Sequence, residues 1–169
     1  VHWLGDGLEI IRHASEIEAL ASGVPDNGGV YIEPAFAGLG APHWRPEARA
    51  SVSGLSFSTT RAHLVRAALE AMAAQTHDLA EAFARDGAPW RSLRIDGGMS
   101  ANDWMAQDLA DMLDLPVERP DFVETTALGA AMLAAAWPAR EKPPIIADEH
   151  RAPDIVWVGR LTVAANETA

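Results

Sequence analysis

Leu93-Arg94-Ile95-Asp96-Gly97-Gly98-Met99-Ser100-Ala101-Asn102 is the stretch that decides the fold. Leu93 to Ile95 predicts a short strand, which Asp96-Gly97-Gly98 ends. Ser100 offers a capping hydroxyl for a helix over about 101–113, with Met105, Leu109 and Met112 on its inner face. Leu115 to Glu118 predicts the next strand, stopped by Pro120. Strand, glycine bend, helix and strand together make an α/β unit with a helix laid over the sheet. Two glycines let the backbone turn sharply and approach a flat or anionic ligand with no Cβ between them. The helix behind opens with free N–H groups and the positive end of its dipole. One such contact contributes only about 0.3–1 kcal/mol when exposed, so a loop of this kind works inside a cleft. Asn102, in the first turn, can reach a base, a ribose or a phosphate. A Gly-Gly bend between strand and helix is also a common plain turn, and its spacing alone leaves a ligand role open.

Upstream, Ser58-Thr59-Thr60 supplies N-cap hydroxyls for a long helix over about 61–85. Its expected inner stripe is Leu64, Ala68, Met72, Gln75, Leu79 and Phe83, in steps of three or four. Before it, Ala50 to Leu55 and Val30 to Ile32 predict two short strands. They flank Phe36 to Pro46, a stretch too rich in Gly and Pro for a regular element. Pro25-Asp26-Asn27-Gly28-Gly29 predicts a turn. Residues 1–21 predict an amphipathic helix, with Leu4, Leu8, Ile11, Ile17 and Leu20 near helical spacing and Gly5 and Gly7 weakening its first turns. Downstream, a helix over about 125–137 is packed with small residues and ends at Pro138. The chain therefore divides into an α/β domain over 1–138 and an irregular or loosely docked tail over 139–169. Within that tail, Asp154 to Val158 resembles a strand or pairing segment.

Composition narrows the function. The 169 residues are 49% hydrophobic and 22% charged, as in a folded domain with a real core. No apolar run approaches the roughly 20 residues a membrane-spanning helix needs, and no signal peptide is visible. The absence of cysteine excludes disulfides and thiolate metal sites, and suits a cytoplasmic setting. A net charge of −11 opposes a nucleic-acid partner, because binding a polyanion rests on Lys and Arg contacts to phosphates. Any phosphate-bearing ligand must then be held locally, by backbone amides and a few side chains. The spacing of His, Asp and Glu suggests no metal site, and no Ser/His/Asp arrangement follows from chain order.

Four blocks in order carry a resemblance. The first is Pro34 to Trp44 with Pro46 and Ala48-Arg49. The second is Gly54-Leu55, His63-Leu64 and Arg66 to Glu70. The third is Asp96-Gly97-Gly98 with Asn102, and the fourth is Val117 to Pro120 followed by Glu124 to Ala131. From Tyr31 to Ala136 the chain resembles the C-terminal domain of the FGGY family of carbohydrate kinases. The likeness is strongest to the branch that phosphorylates glycerol. The resemblance implies a ribonuclease-H-like fold of the actin and hexokinase superfamily, here incomplete, with short strands covered by helices. It implies transfer of the ATP γ-phosphoryl group to a polyol hydroxyl with Mg²⁺, a reaction that depends on positioning and charge stabilisation.

By the same resemblance Gly97, Gly98 and Asn102 lie against the nucleotide, and His2 stands where the family has a nucleotide-contacting Gln. The glycerol branch is marked by Ala35 to Pro42, by Gln75-Thr76 and Asp78, and by Asp96. In the family the catalytic Asp and most of the polyol site lie upstream, so no catalytic residue and no metal ligand is assigned here. The expectation is a partial chain beginning at an imposed boundary, inactive alone, that binds ATP or ADP and meets glycerol through the missing half. The metal would be held mainly outside this chain. Early strands of the domain are expected to be absent, which leaves an exposed sheet edge. The resemblance leaves room for a homo-oligomer. Xylulose or gluconate as acceptor, and a free-standing nucleotide-binding module, remain the alternatives.

Overall fold

The strand, the Gly-Gly bend and a helix follow one another in the expected order, beside a long helix. The computed structural model describes residues 3–121, 125–136 and 155–157. The long helix, α2 (Arg61–Arg85), starts at Thr60, whose extended backbone (φ −114°, ψ 170°) lies outside the helix. The Thr60 N–H donates to Nδ1 of His63 at 3.0 Å, so a histidine takes the place a Glu or Gln usually holds in a capping box.

The burial of α2 departs from the single stripe expected. Val65, Leu69 and Ala73 face one cluster, with Leu4, Ile11, Ile17, Ala21, Met105, Leu109, Ala110 and Val117. Ala67 and Ala71 face another, with Val30 and Ile32. The helix is sandwiched, and its alanines let the strand layer approach closely. Ala68 is partly buried against both clusters, Met72 against the first and Leu64 against the second, whereas Gln75 is exposed and Phe83 is 44% exposed. Fully burying a side chain such as Leu69 or Val65 contributes about 1.5–3 kcal/mol.

Residues 1–21 do not form one helix. Trp3–Gly7 makes a single π turn, and α1 (Glu16–Ser22) follows after turns and bends. Gly7 lies against the Trp3 ring, where a Cβ would meet Cδ1 at 2.7 Å, and Glu9 takes a left-handed φ of 52°. A glycine-permitted tight turn wins over the helical spacing, and Leu8 is left 44% exposed. Before α1, the Glu16 carboxylate accepts the N–H groups of His13 and Arg12, each at 3.0 Å. The His13 bond, then the Arg12 bond, holds that carboxyl below the usual glutamate range.

β1 (Tyr31–Glu33) and β2 (Ser51–Ser53) pair antiparallel, Ile32 opposite Val52. Gly28 and Gly29, at φ 64° and 78°, make the turn that feeds β1. The second sheet has the order β3-β4-β5. β3 (Leu93–Arg94) runs parallel to β4 (Val117–Arg119), joined by the crossover helix α3 (Asp103–Leu113). β5 (Ile155–Trp157) pairs antiparallel with β4, so the strand expected near 154–158 is present. β3 has only β4 beside it among the described strands. α4 (Thr125–Ala136) fills the small-residue helix expected there. Apart from β5, the tail over 139–169 lies outside the described residues.

Candidate functional site

β3 ends directly at the glycine bend. Ile95 N–H still donates to the Glu118 carbonyl at 2.9 Å, and one residue later the chain leaves the sheet. Gly97 has φ 85°, a left-handed conformation open to glycine and strained for other residues. Among the described residues, a Cβ on Gly97 or on Gly98 would meet no heavy atom within 4 Å, so no described side chain packs against the bend at these two positions.

The helix does not begin at Ala101 as the sequence suggested. Gly98–Ala101 forms a 3₁₀ turn first, and the cap is Asn102, whose Oδ1 accepts the Met105 N–H at 2.8 Å. Ser100, the expected cap, is buried (1% exposed), and its hydroxyl donates to the Gly97 carbonyl at 2.7 Å. A serine hydroxyl satisfies the turn locally, and the carboxamide two residues on reaches the helix end instead. On α3, Met105 and Leu109 are buried as expected, while Met112 is 41% exposed because it falls on the face turned away from α2.

Two further side chains fix the bend. Thr125, the first residue of α4, donates its hydroxyl to Oδ2 of Asp96, immediately before the glycines. Arg119, at the end of β4, donates through Nη1 to the Ser100 carbonyl at 2.6 Å and pairs with Oδ1 of Asp103 at 2.9 Å. Its side chain is 12% exposed. Neither contact was read from the sequence, although a signal existed: Arg119 lies two residues beyond the fully buried Val117, on the same strand face. An arginine on an inward face needs acceptors, and it finds them in the bend.

A cavity of about 480 Å³ lies elsewhere, between the loop from Pro34 to His43 and the second half of α2. Gln75, Thr76 and Asp78 line it from the helix side. Nε2 of His43 bonds Oδ2 of Asp78 at 2.9 Å, fastening the loop to the helix. The structure thus gathers the loop and the helix residues that mark the glycerol branch around one hollow. Asp96 lies apart, at the bend. Gln75 is an exposed cavity-lining group and not a buried polar one. His2 lies outside the described residues. Among the described residues there is no group of three or more His, Cys, Asp or Glu placed to hold a metal, and no helix long and apolar enough to cross a membrane.

Residues 1–137 match the FGGY family of carbohydrate kinases, C-terminal domain. The chain belongs to this family. It is 63% identical over 134 residues to a glycerol kinase of Rhodospirillum centenum, a match covering 79% of this chain and 27% of that protein. Against a glycerol kinase of Gluconobacter oxydans the identity is 56% over 135 residues, covering 79% and 26%. The chain thus spans about a quarter of the length of the curated relatives it matches. Among solved structures, Plasmodium falciparum glycerol kinase with ADP superposes with a TM-score of 0.77 at 33% identity, covering 94% of this chain and 32% of that one. A xylulose kinase of Lactobacillus acidophilus, at 20% identity and a TM-score of 0.74, shares the fold. The actin- and hexokinase-like fold expected from the four blocks is therefore the fold of this domain.

Proposed function

We propose that this chain supplies part of the nucleotide site of an ATP-dependent glycerol kinase, which moves the γ-phosphoryl group of ATP to glycerol to give glycerol 3-phosphate. The observation that carries it is the open bend: Gly97 half-buried and Gly98 exposed, with no described residue within 4 Å of where a Cβ would stand on either, beside the capped end of α3. Gly97, Gly98 and Asn102 would hold ATP or ADP from this side, together with His2. Asn102 keeps α3 capped through Oδ1, so its part is to fix where the helix mouth points as much as to touch the ligand. A glycerol kinase that shares this fold was solved with ADP, which supports a nucleotide as the ligand.

Bound ATP would supply the phosphoryl group, and Mg²⁺, held mainly outside this chain, would offset its charge. The residues here bind and orient; the acceptor site and the base that takes the hydroxyl proton come from elsewhere, and the chain alone is inactive. Glycerol is preferred over xylulose or gluconate because most of the branch-marking residues, Gly38 to Pro42 with Gln75, Thr76 and Asp78, line one cavity. The proposed setting is the cytoplasm.

The test is an ADP titration of the ¹⁵N-labelled chain. Gly97 and Gly98 amide resonances should move, with a dissociation constant of about 1 mM, weak because one wall of a cleft offers few contacts. Gly98→Val should abolish those shifts and leave the urea midpoint unchanged, since its Cβ meets nothing within 4 Å among the described residues. Shifts that survive the valine would show that the ligand does not face this bend.

A further inference from the structure

From the contacts around Ser100 we infer that Arg119 is a positioning residue of the nucleotide bend, acting through Ser100 and Asp103 and not by touching the ligand. The inference rests on the nucleotide reading of that bend. Arg119 stands at the end of β4 and reaches across to the turn between β3 and α3. Nη1 meets the Ser100 carbonyl at 2.6 Å and the Asp103 carboxylate at 2.9 Å. A charge-assisted bond to a main-chain carbonyl inside a 3₁₀ turn restrains the turn itself. Ser100 is buried on the other side, with its hydroxyl on Gly97 O at 2.7 Å, so the restraint passes directly to the first glycine. Gly97 has no side chain to hold it in place, and its φ of 85° is one of several conformations a glycine adopts freely. Arg119 is what selects among them.

Electrostatics gives the same residue a second effect. Asp103 is the first residue of α3, so its carboxylate sits at the helix mouth where a phosphate would approach. A carboxylate there stabilises the helix but repels an anion. The Arg119 guanidinium, mostly buried, offsets that charge where it matters, while Asp103 itself is 62% exposed. Lysine in its place would keep the charge, with its three donors on a single nitrogen, but lose the planar fork. Arg119→Met should therefore loosen the bend and uncover a repulsive charge. Phosphate-bearing ligands would suffer more than a nucleoside.

The experiment compares the ¹⁵N-labelled wild-type chain with Arg119→Met, Arg119→Lys and Asp103→Asn, first without ligand and then with ADP and with adenosine. Without ligand, Arg119→Met should displace the amide resonances of Gly97 to Ala101 and speed their hydrogen exchange at least tenfold, leaving those of α2 in place. With ADP, affinity should fall at least tenfold in Arg119→Met and recover to within about threefold of wild type in Arg119→Lys. For adenosine the Met variant should lose less than half as much on a logarithmic scale. Asp103→Asn, which removes the repelling charge, should bind ADP no more weakly than wild type. An unmoved bend in Arg119→Met overturns the proposal whatever ADP does; so does equal ADP affinity in the wild type and the Met variant. If instead ADP leaves Gly97 and Gly98 unmoved in the wild type, the nucleotide reading fails, and the ligand-free spectra still decide whether Arg119 sets the bend. Should Arg119→Met not fold, the Lys and Asn variants carry the comparison: a Lys variant whose bend and affinity collapse together with its fold overturns a positioning role.

Discussion

Replacing Asp108 by asparagine should make this protein more stable at neutral pH and leave it unchanged in acid. Asp108 lies on α3 where that helix packs against α2, and its Oδ2 is buried with no hydrogen-bond partner among the described residues. Burial, then the Glu70 carboxylate, pushes its carboxyl up from 3.8 to about 6; the Arg66 guanidinium pulls the other way, and Asp111 adds a smaller push upward. Arg66 offsets little because it is already engaged. Its Nε bonds Glu70 at 2.8 Å, Nη1 bonds the Val24 carbonyl at 2.6 Å, and the guanidinium lies over the Trp104 ring at 5.1 Å.

A carboxyl whose folded value is raised holds its proton longer in the native state than in the unfolded one. Its contribution is fully present below about pH 4 and is lost as pH rises through about 6. A shift of about two units has a ceiling of about 3 kcal/mol, and solvent screening of a half-buried group reduces this to about 1–1.5 kcal/mol. The carboxamide of the asparagine variant keeps the shape and removes the charge. Urea unfolding of wild type and Asp108→Asn, each from pH 4 to pH 8, gives the difference directly. It should be near zero at pH 4, grow between pH 4 and pH 6, and level off at about 1–1.5 kcal/mol in favour of the variant. A difference independent of pH, or a ¹³C carboxyl titration of Asp108 centred near 4, would refute the reasoning.

Gly54→Ala should cost about 2–4 kcal/mol in urea unfolding, because a Cβ there would lie 1.9 Å from the Gly29 carbonyl oxygen on a backbone at φ 75°. Asn102→Ala removes the bond to the Met105 amide and should lower stability by about 1 kcal/mol, with exchange accelerated in the first turn of α3 before any other helix. An unchanged first turn would assign the cap to another group.

The amino-acid sequence by itself determined the order of elements around the bend. The spacing of Leu93 to Asn102, the cap at Thr60 and the glycines at 28, 29, 97 and 98 act over a few residues, and local sterics and hydrogen bonds settle them. The four family blocks likewise made the fold legible. Tertiary structure decided what rests on more than one element. Periodicity along α2 shows one stripe at most, and only packing between two layers buries both Val65-Leu69-Ala73 and Ala67-Ala71. Ser100 and Asn102 are both good caps, and the choice fell to Asn102 once a 3₁₀ turn intervened and the Gly97 carbonyl took the serine hydroxyl. The hold of Arg119 on the bend joins residues 19 apart, and the link from His43 to Asp78 joins residues 35 apart. Short-range chemistry is written in neighbouring letters. A side chain's partner across a layer depends on how helices and strands stack to hide apolar surface, and that stacking is a property of the whole domain.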